Sequence, residues 1–156
     1  MSEYTNTTAT AVLNALAAEL RKKFAKAHGA TVTVAADPAH AMDILAAGTP
    51  GGAAIVLFYL DDAPAGEEGL DGDTLVESSI RAAVVQHPGL ALKTGLSAPT
   101  ALALADKLRS FITKLAINGV LGGMSYDGMT HLKNYNNEIL HGYALTFKVG
   151  YAYEIE

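Results

Sequence analysis

The sequence contains no cysteine. That absence removes disulfides, thiolate nucleophiles and cysteine-based zinc sites together, and it leaves the redox compartment open. The N-terminus carries no basic stretch ahead of an apolar one, and the first apolar run is broken by Glu19 and Arg21. Neither a signal peptide nor a membrane span is expected, and the chain reads as one made and used in solution. Catalytic signatures are missing as well. The five histidines stand apart at 28, 40, 87, 131 and 141, and none belongs to a His-Glu-x-x-His motif. His131 and His141 could face one another across the last hairpin, but a zinc site takes three or four protein ligands. The glycine-rich stretch Gly48-Thr49-Pro50-Gly51-Gly52 lacks the Gly-Lys-Ser/Thr ending that grips phosphate and reads as a turn. No Gly-x-Ser-x-Gly elbow surrounds Ser78, Ser79, Ser97, Ser110 or Ser125. Asp71, Asp73 and Glu77 do not follow the order of a calcium-binding EF-hand loop. None of these patterns marks a catalytic residue, a metal site or a cofactor; two carboxylates converging in the fold remain open as a catalytic pair, without a motif to support them.

What charge there is lies unevenly. Asp61, Asp62, Glu67, Glu68, Asp71 and Asp73 crowd a stretch without Lys or Arg, so the net charge of −5 belongs to this one segment and the rest of the chain is close to neutral. Nothing in that balance resembles a basic nucleic-acid footprint. The segment 61–73 reads as an acidic loop within a hairpin, and loops of this length in compact domains tend to be functional or disordered.

The most informative pattern lies between 139 and 155. Tyr143, Leu145, Phe147, Val149, Tyr151, Tyr153 and Ile155 alternate with Ala144, Thr146, Lys148, Gly150, Ala152 and Glu154, a period of two that specifies a strand with one buried face. The aromatic members of this stripe could form a stacking platform, but at strand spacing in an acidic chain they read as core. Unbent, such a strand would span on the order of 55 Å, so a bend or bulge near Gly142 or Gly150, or a second subunit, is expected to interrupt it.

The remaining elements supply cover for that face. Val12, Leu13, Leu16, Ala17, Leu20, Phe24 and Ala27 recur at helical spacing, which predicts a helix over 7–28, with Arg21, Lys22, Lys23 and Lys26 as a solvated basic end favoured by the helix dipole. Thr31 to Val34 reads as a short strand, and Asp37-Pro38 opens a short helix over 38–47. Ile55 to Leu60 is a continuous apolar run suited to an interior strand, and Val76, Ser78, Ile80, Ala82 and Val84 alternate along its hairpin partner. Ala101, Leu104, Ala105, Leu108, Phe111, Ile112 and Leu115 line another helix, which Asn118-Gly119 stops. A strand near Met124 to Leu132 turns at Asn134-Tyr135-Asn136-Asn137 into the last one. These elements amount to one domain over 1–156, an α/β (α+β) fold with a mixed or antiparallel β-sheet of about four to five strands, flanked by two long helices and one short helix.

This order of elements resembles the tail terminator, or tail completion, proteins of long-tailed bacteriophages. The resemblance is carried by the N-terminal helix ending at His28-Gly29, by Ala53 to Leu60 followed by Leu70-Asp71-Gly72-Asp73-Thr74, by the helix around Asp106 to Leu115, and by Gly142 to Ile155. It implies a virion structural protein with no catalytic residue: a protomer that forms a hexameric ring on the finished end of the tail tube, stops its polymerisation and presents a surface for head attachment. The implied partners are other copies of the chain, the tail tube protein and a head-completion or connector protein, with DNA passing through the lumen unbound and no membrane involved. The implied location is the head-proximal end of the tail, and the host cytoplasm during assembly. In a ring the acidic loop must face a neighbour, the lumen or an axial partner, and it is expected to line the pore, where its charge would repel passing DNA. A head-tail connector or neck protein is the nearest alternative, and a small metal-dependent α/β enzyme using the acidic loop and His87 or His131 is the next.

Overall fold

The computed structural model describes residues 7–25, 30–35, 53–64, 73–86, 101–132 and 141–154. The short helix expected over 38–47, the turn at 48–52, the link over 87–100 and the turn at 134–137 fall outside these residues.

Helix α1 (Ala9–Leu20) begins where the side chain of Thr8 accepts a hydrogen bond from the Ala11 amide at 3.2 Å, an N-cap that satisfies one of the amides a helix start leaves open. Val12, Leu13, Leu16, Ala17 and Leu20 are buried along one face. The helix does not run on unchanged as its spacing suggests. Arg21–Ala25 widens into a π-helical turn, which keeps Phe24 buried while Arg21 turns aside to donate twice to the Val32 carbonyl, at 3.1 and 3.0 Å. Helix α2 (Ala101–Lys114) buries Leu104, Ala105, Leu108 and Ile112, again at helical spacing.

The strands are β1 (Ala30–Val34), β2 (Ala53–Pro64), β3 (Asp73–Gln86), β4 (Val120–Leu132) and β5 (His141–Glu154). They form one sheet in the order β1-β2-β3-β5-β4, in which only β1 and β2 run parallel. The apolar run of β2 is an interior strand, as expected: Ala54 through Phe58 are buried on both faces. Ile55 and Leu57 join Val76, Ile80, Ala82, Val84, Leu145, Phe147, Val149 and Tyr151 in a core closed by α1 and α2. A smaller cluster of Ala35, Val56, Phe58, Ala83 and Val85 occupies the opposite face.

Two sequence expectations need correction. Asp61 and Asp62 belong to β2 and Asp73 to β3, so the connection between the strands is residues 65–72 and not 61–73. The strand continues because one extra residue is absorbed after Tyr59, where the pairing steps from Tyr59↔Ile80 to Asp61↔Ser79. The long strand β5, in turn, has no bulge against β3 at Gly142 or Gly150: the two pair without a break from His141↔Gln86 to Glu154↔Asp73. The irregularities lie on its other neighbour. β4 shifts register between Leu121 and Met124 and again between Tyr126 and Met129, around Gly122, Gly123 and Gly128, whose φ angles of 67, 81 and 119° suit glycine. Edge strand β4 takes up the extra residues, and the interior pair stays regular.

Phe147 is fully buried, its ring 5.9 Å from that of Tyr126 between centroids. Phe147→Ala should cost about 3–5 kcal/mol of unfolding free energy. Leu102→Ala, at a side chain 44% exposed, should change it by no more than about 0.5 kcal/mol. Denaturant unfolding of both variants checks the contrast.

Candidate functional site

Three surfaces of the molecule bring polar groups together, and each follows from how a particular element is built. The first comes from the extra residue in β2. Side chains alternate along a regular strand, so Tyr59 and Asp62, three positions apart, would point to opposite faces. With Leu60 as the residue left over, both stand on the helix side. There they line a groove of about 590 Å³ with Ala9, Thr10, Leu13, Val34 and Ala35. The Tyr59 phenol is held above the ordinary tyrosine range, first by desolvation and then by its hydrogen bond to the Asp62 carboxylate and that group's charge. Nearby, the hydroxyls of Ser78 and Tyr151 lie 2.7 Å apart inside the core. Ser78 is 1% exposed, a polar group buried among apolar neighbours and satisfied by this partner.

The second surface is the half-polar face of the sheet opposite the helices. Arg81 donates to the Thr146 hydroxyl at 3.2 Å, and Lys148 pairs with Glu77 at 3.6 Å. These are cross-strand contacts between β3 and β5, and each is worth only a few tenths of a kcal/mol to about 1 kcal/mol at such exposure.

The third surface is a groove of about 430 Å³ between the π turn and α2, lined by Lys23, Phe24, Lys107, Ser110, Phe111 and Lys114. Phe24 and Phe111 meet edge to face at 5.6 Å and form its floor. Lys23, Lys107 and Lys114 are exposed around it, and none of the three makes an ion pair among the described residues. Neighbouring cations are engaged elsewhere: Lys22 with Glu19 at 3.4 Å, Arg109 with Asp106 at 3.1 Å and with the face of Tyr126 at 5.3 Å from its ring centre.

The residues singled out from sequence fall into two groups. Leu145, Phe147, Val149 and Tyr151 are buried and Tyr143 packs against them, so the stripe from Tyr143 to Tyr151 is core. Tyr153 pairs with Thr74 at the far end of β5. Asp61 and Asp62 are exposed at the end of β2, Asp73 opens β3 opposite Glu154, and Glu67, Glu68 and Asp71 lie outside the described residues. His131 pairs with Tyr143, two residues from the register that would set it opposite His141. Among the described residues no group of three or more His, Asp or Glu could hold a metal ion, and no helix is long and apolar enough to cross a membrane.

Sequence reasoning took Lys23 for part of a solvated helix end and passed over Lys107 and Lys114 entirely. The signal was present: Lys107, Ser110, Phe111 and Lys114 recur at three- and four-residue steps on one helix face. That Phe24 comes to meet this face is a tertiary fact.

No protein-family model matches the chain, and no curated protein matches it either.

Two substitutions probe the groups around Tyr59. Ser78→Ala should cost about 1–3 kcal/mol in denaturant unfolding, because it takes a buried hydrogen-bond partner from Tyr151. For Tyr59 the folded-state pKa lies above the ordinary tyrosine value of 10.0, so the stabilisation from its bound proton is complete below about pH 10 and is lost as pH rises through the folded value. The wild type should lose Tm above about pH 10, and Tyr59→Phe should flatten that fall. Equal alkaline slopes for the two proteins would contradict that assignment.

Proposed function

We propose that the chain is a virion structural protein, a tail terminator of a long-tailed bacteriophage. It assembles as a ring, hexameric by the resemblance, on the finished end of the tail tube, stops polymerisation there and provides the surface for head attachment. Its partners are then other copies of itself, the tube protein and a head-completion or connector protein, with DNA passing through the lumen.

The observation that carries this reading is the arrangement of the elements. A helix and a short strand precede an apolar strand, an acidic connection and a second strand; another helix and two strands follow. This is the order on which the resemblance rests, and the elements are joined in one sheet with both described helices on the same face. The long strand that anchors the resemblance is an interior strand of that sheet, paired along its whole length with β3. A subunit of this kind has one continuous sheet and carries Asp61 and Asp62 at the end of β2. Such a body can repeat one heterologous contact until a ring closes.

Purified protein mixed with preformed tail tubes and viewed by negative-stain electron microscopy tests the proposal. The expected result is density on one end only, and arrest of further growth when free tube subunits are added. Decoration along the tube wall, or tubes that keep growing at both ends, would sink it. Attachment to the head and not to the tube would move the chain to the neck.

A further inference from the structure

The lysine-rimmed groove and the end of β2 from which residues 65–72 depart lie at opposite ends of the subunit. Ala9, Thr10 and Leu13 at the start of α1 line a groove with Tyr59 and Asp62, near the end of β2 that leads into the connection. At the other end of the helical run Arg21 bonds the Val32 carbonyl, and Val32 pairs with Ile55, near the start of β2. Helix α1 therefore runs against β2, and Phe24 lies about 20 Å along the helix from Ala9. Residues 65–72, tethered at Pro64 and Asp73 on neighbouring strands, can double back over at most about 14 Å. The connection is thus too short to fill the groove of its own chain.

Chemically the two ends match. The groove has an aromatic floor, Phe24 against Phe111, and a rim of Lys23, Lys107 and Lys114. The connection carries one large apolar residue, Leu70, with Glu67 and Glu68 before it and Asp71 and Asp73 after it. An apolar anchor between carboxylates is what an apolar floor ringed by ammonium groups would select. The groove also borders the π-helical turn at Arg21–Ala25, a distortion that places Lys23 and Phe24 on its rim and floor and that is often found at functional sites.

We propose that this groove docks the β2–β3 connection of a second copy of the chain, with Leu70 over the Phe24–Phe111 pair and the flanking carboxylates against Lys23, Lys107 and Lys114. The contact is head to tail, so it repeats and closes a ring if its rotation allows. It deepens the reading of the chain as a ring-forming subunit and rests on it, and it moves the acidic segment from the lumen to the subunit interface. An acidic peptide is favoured over nucleic acid because three lysines line the groove among the described residues, and the chain outside the acidic segment is close to neutral.

Two full-length variants test the contact: Lys107→Glu with Lys114→Glu, which reverses the groove, and Glu67→Lys with Glu68→Lys and Asp71→Lys, which reverses the connection. Sedimentation equilibrium should show the wild type self-associating, more weakly as salt is raised. Each variant alone should associate about tenfold or more weakly. An equimolar mixture of the two should regain assembly, because every groove then meets a connection of opposite charge. Recovery in the mixture also shows that both variants are folded. A wild type that stays monomeric, a variant that associates as well as the wild type, or a mixture that fails to recover overturns the proposal. So does a single-stranded DNA oligonucleotide that binds the wild type and not the groove variant while self-association is unchanged. Tube ends capped by the wild type and by both variants alike would remove this contact and leave tail termination standing. Head-to-tail assembly that ignores tube ends would do the reverse.

Discussion

The unbroken pairing of β3 with β5 is the constraint on which the rest of the structure depends. Every residue of β3 from Asp73 to Gln86 has a partner in β5. Because side chains alternate with period two, this single register puts Val76, Ser78, Ile80, Ala82 and Val84 on the same face as Tyr143, Leu145, Phe147, Val149 and Tyr151. A slip of one residue would turn the whole apolar set away from α1 and α2. The buried Ser78–Tyr151 hydrogen bond adds a polar contact that fits only the observed register, since an alternative would leave hydroxyls buried without it.

With that pair fixed, the strands on either side of it are free to be irregular, and their irregularities do most to shape the surface. In β2 the extra residue at Leu60 brings Asp62 beside Tyr59 and lets the strand run on to Pro64. In β4 the glycines at 122, 123 and 128 absorb residues that β5 does not match. Bulges twist an edge strand and break up its row of backbone groups, which discourages indiscriminate pairing between sheets. For a chain proposed to assemble with copies of itself, that is a useful bias: association is left to side chains, which can be specific, and taken from bare strand edges, which are not.

The polarity of the subunit has the same origin. Helix α1 packs antiparallel to β2, so the basic end of the helix and the acidic end of the strand are forced to opposite ends of the molecule. Arg21 holds this arrangement by spending its guanidinium on the Val32 carbonyl, while Lys23 stays at the groove. Two charge clusters that look unrelated along the chain thereby become the two ends of one body.

The sequence by itself determined the kinds of element and their faces. Period-two alternation in 143–153, helical spacing in 12–24 and 101–115 and the apolar run at 55–60 are local patterns, and burial follows them because each face must be covered by something apolar. The sequence did not determine where strands end or where they bulge, since those depend on what each strand is paired with: Asp61 and Asp62 look like loop residues until β3 is laid beside them. Nor could it join Phe24 to Phe111, residues that meet only because two helices share one face of the sheet. The lysine groove, the Tyr59–Asp62 pair and the separation of charge belong to the tertiary structure, because each depends on the packing of segments distant in sequence or on the pairing of neighbouring strands.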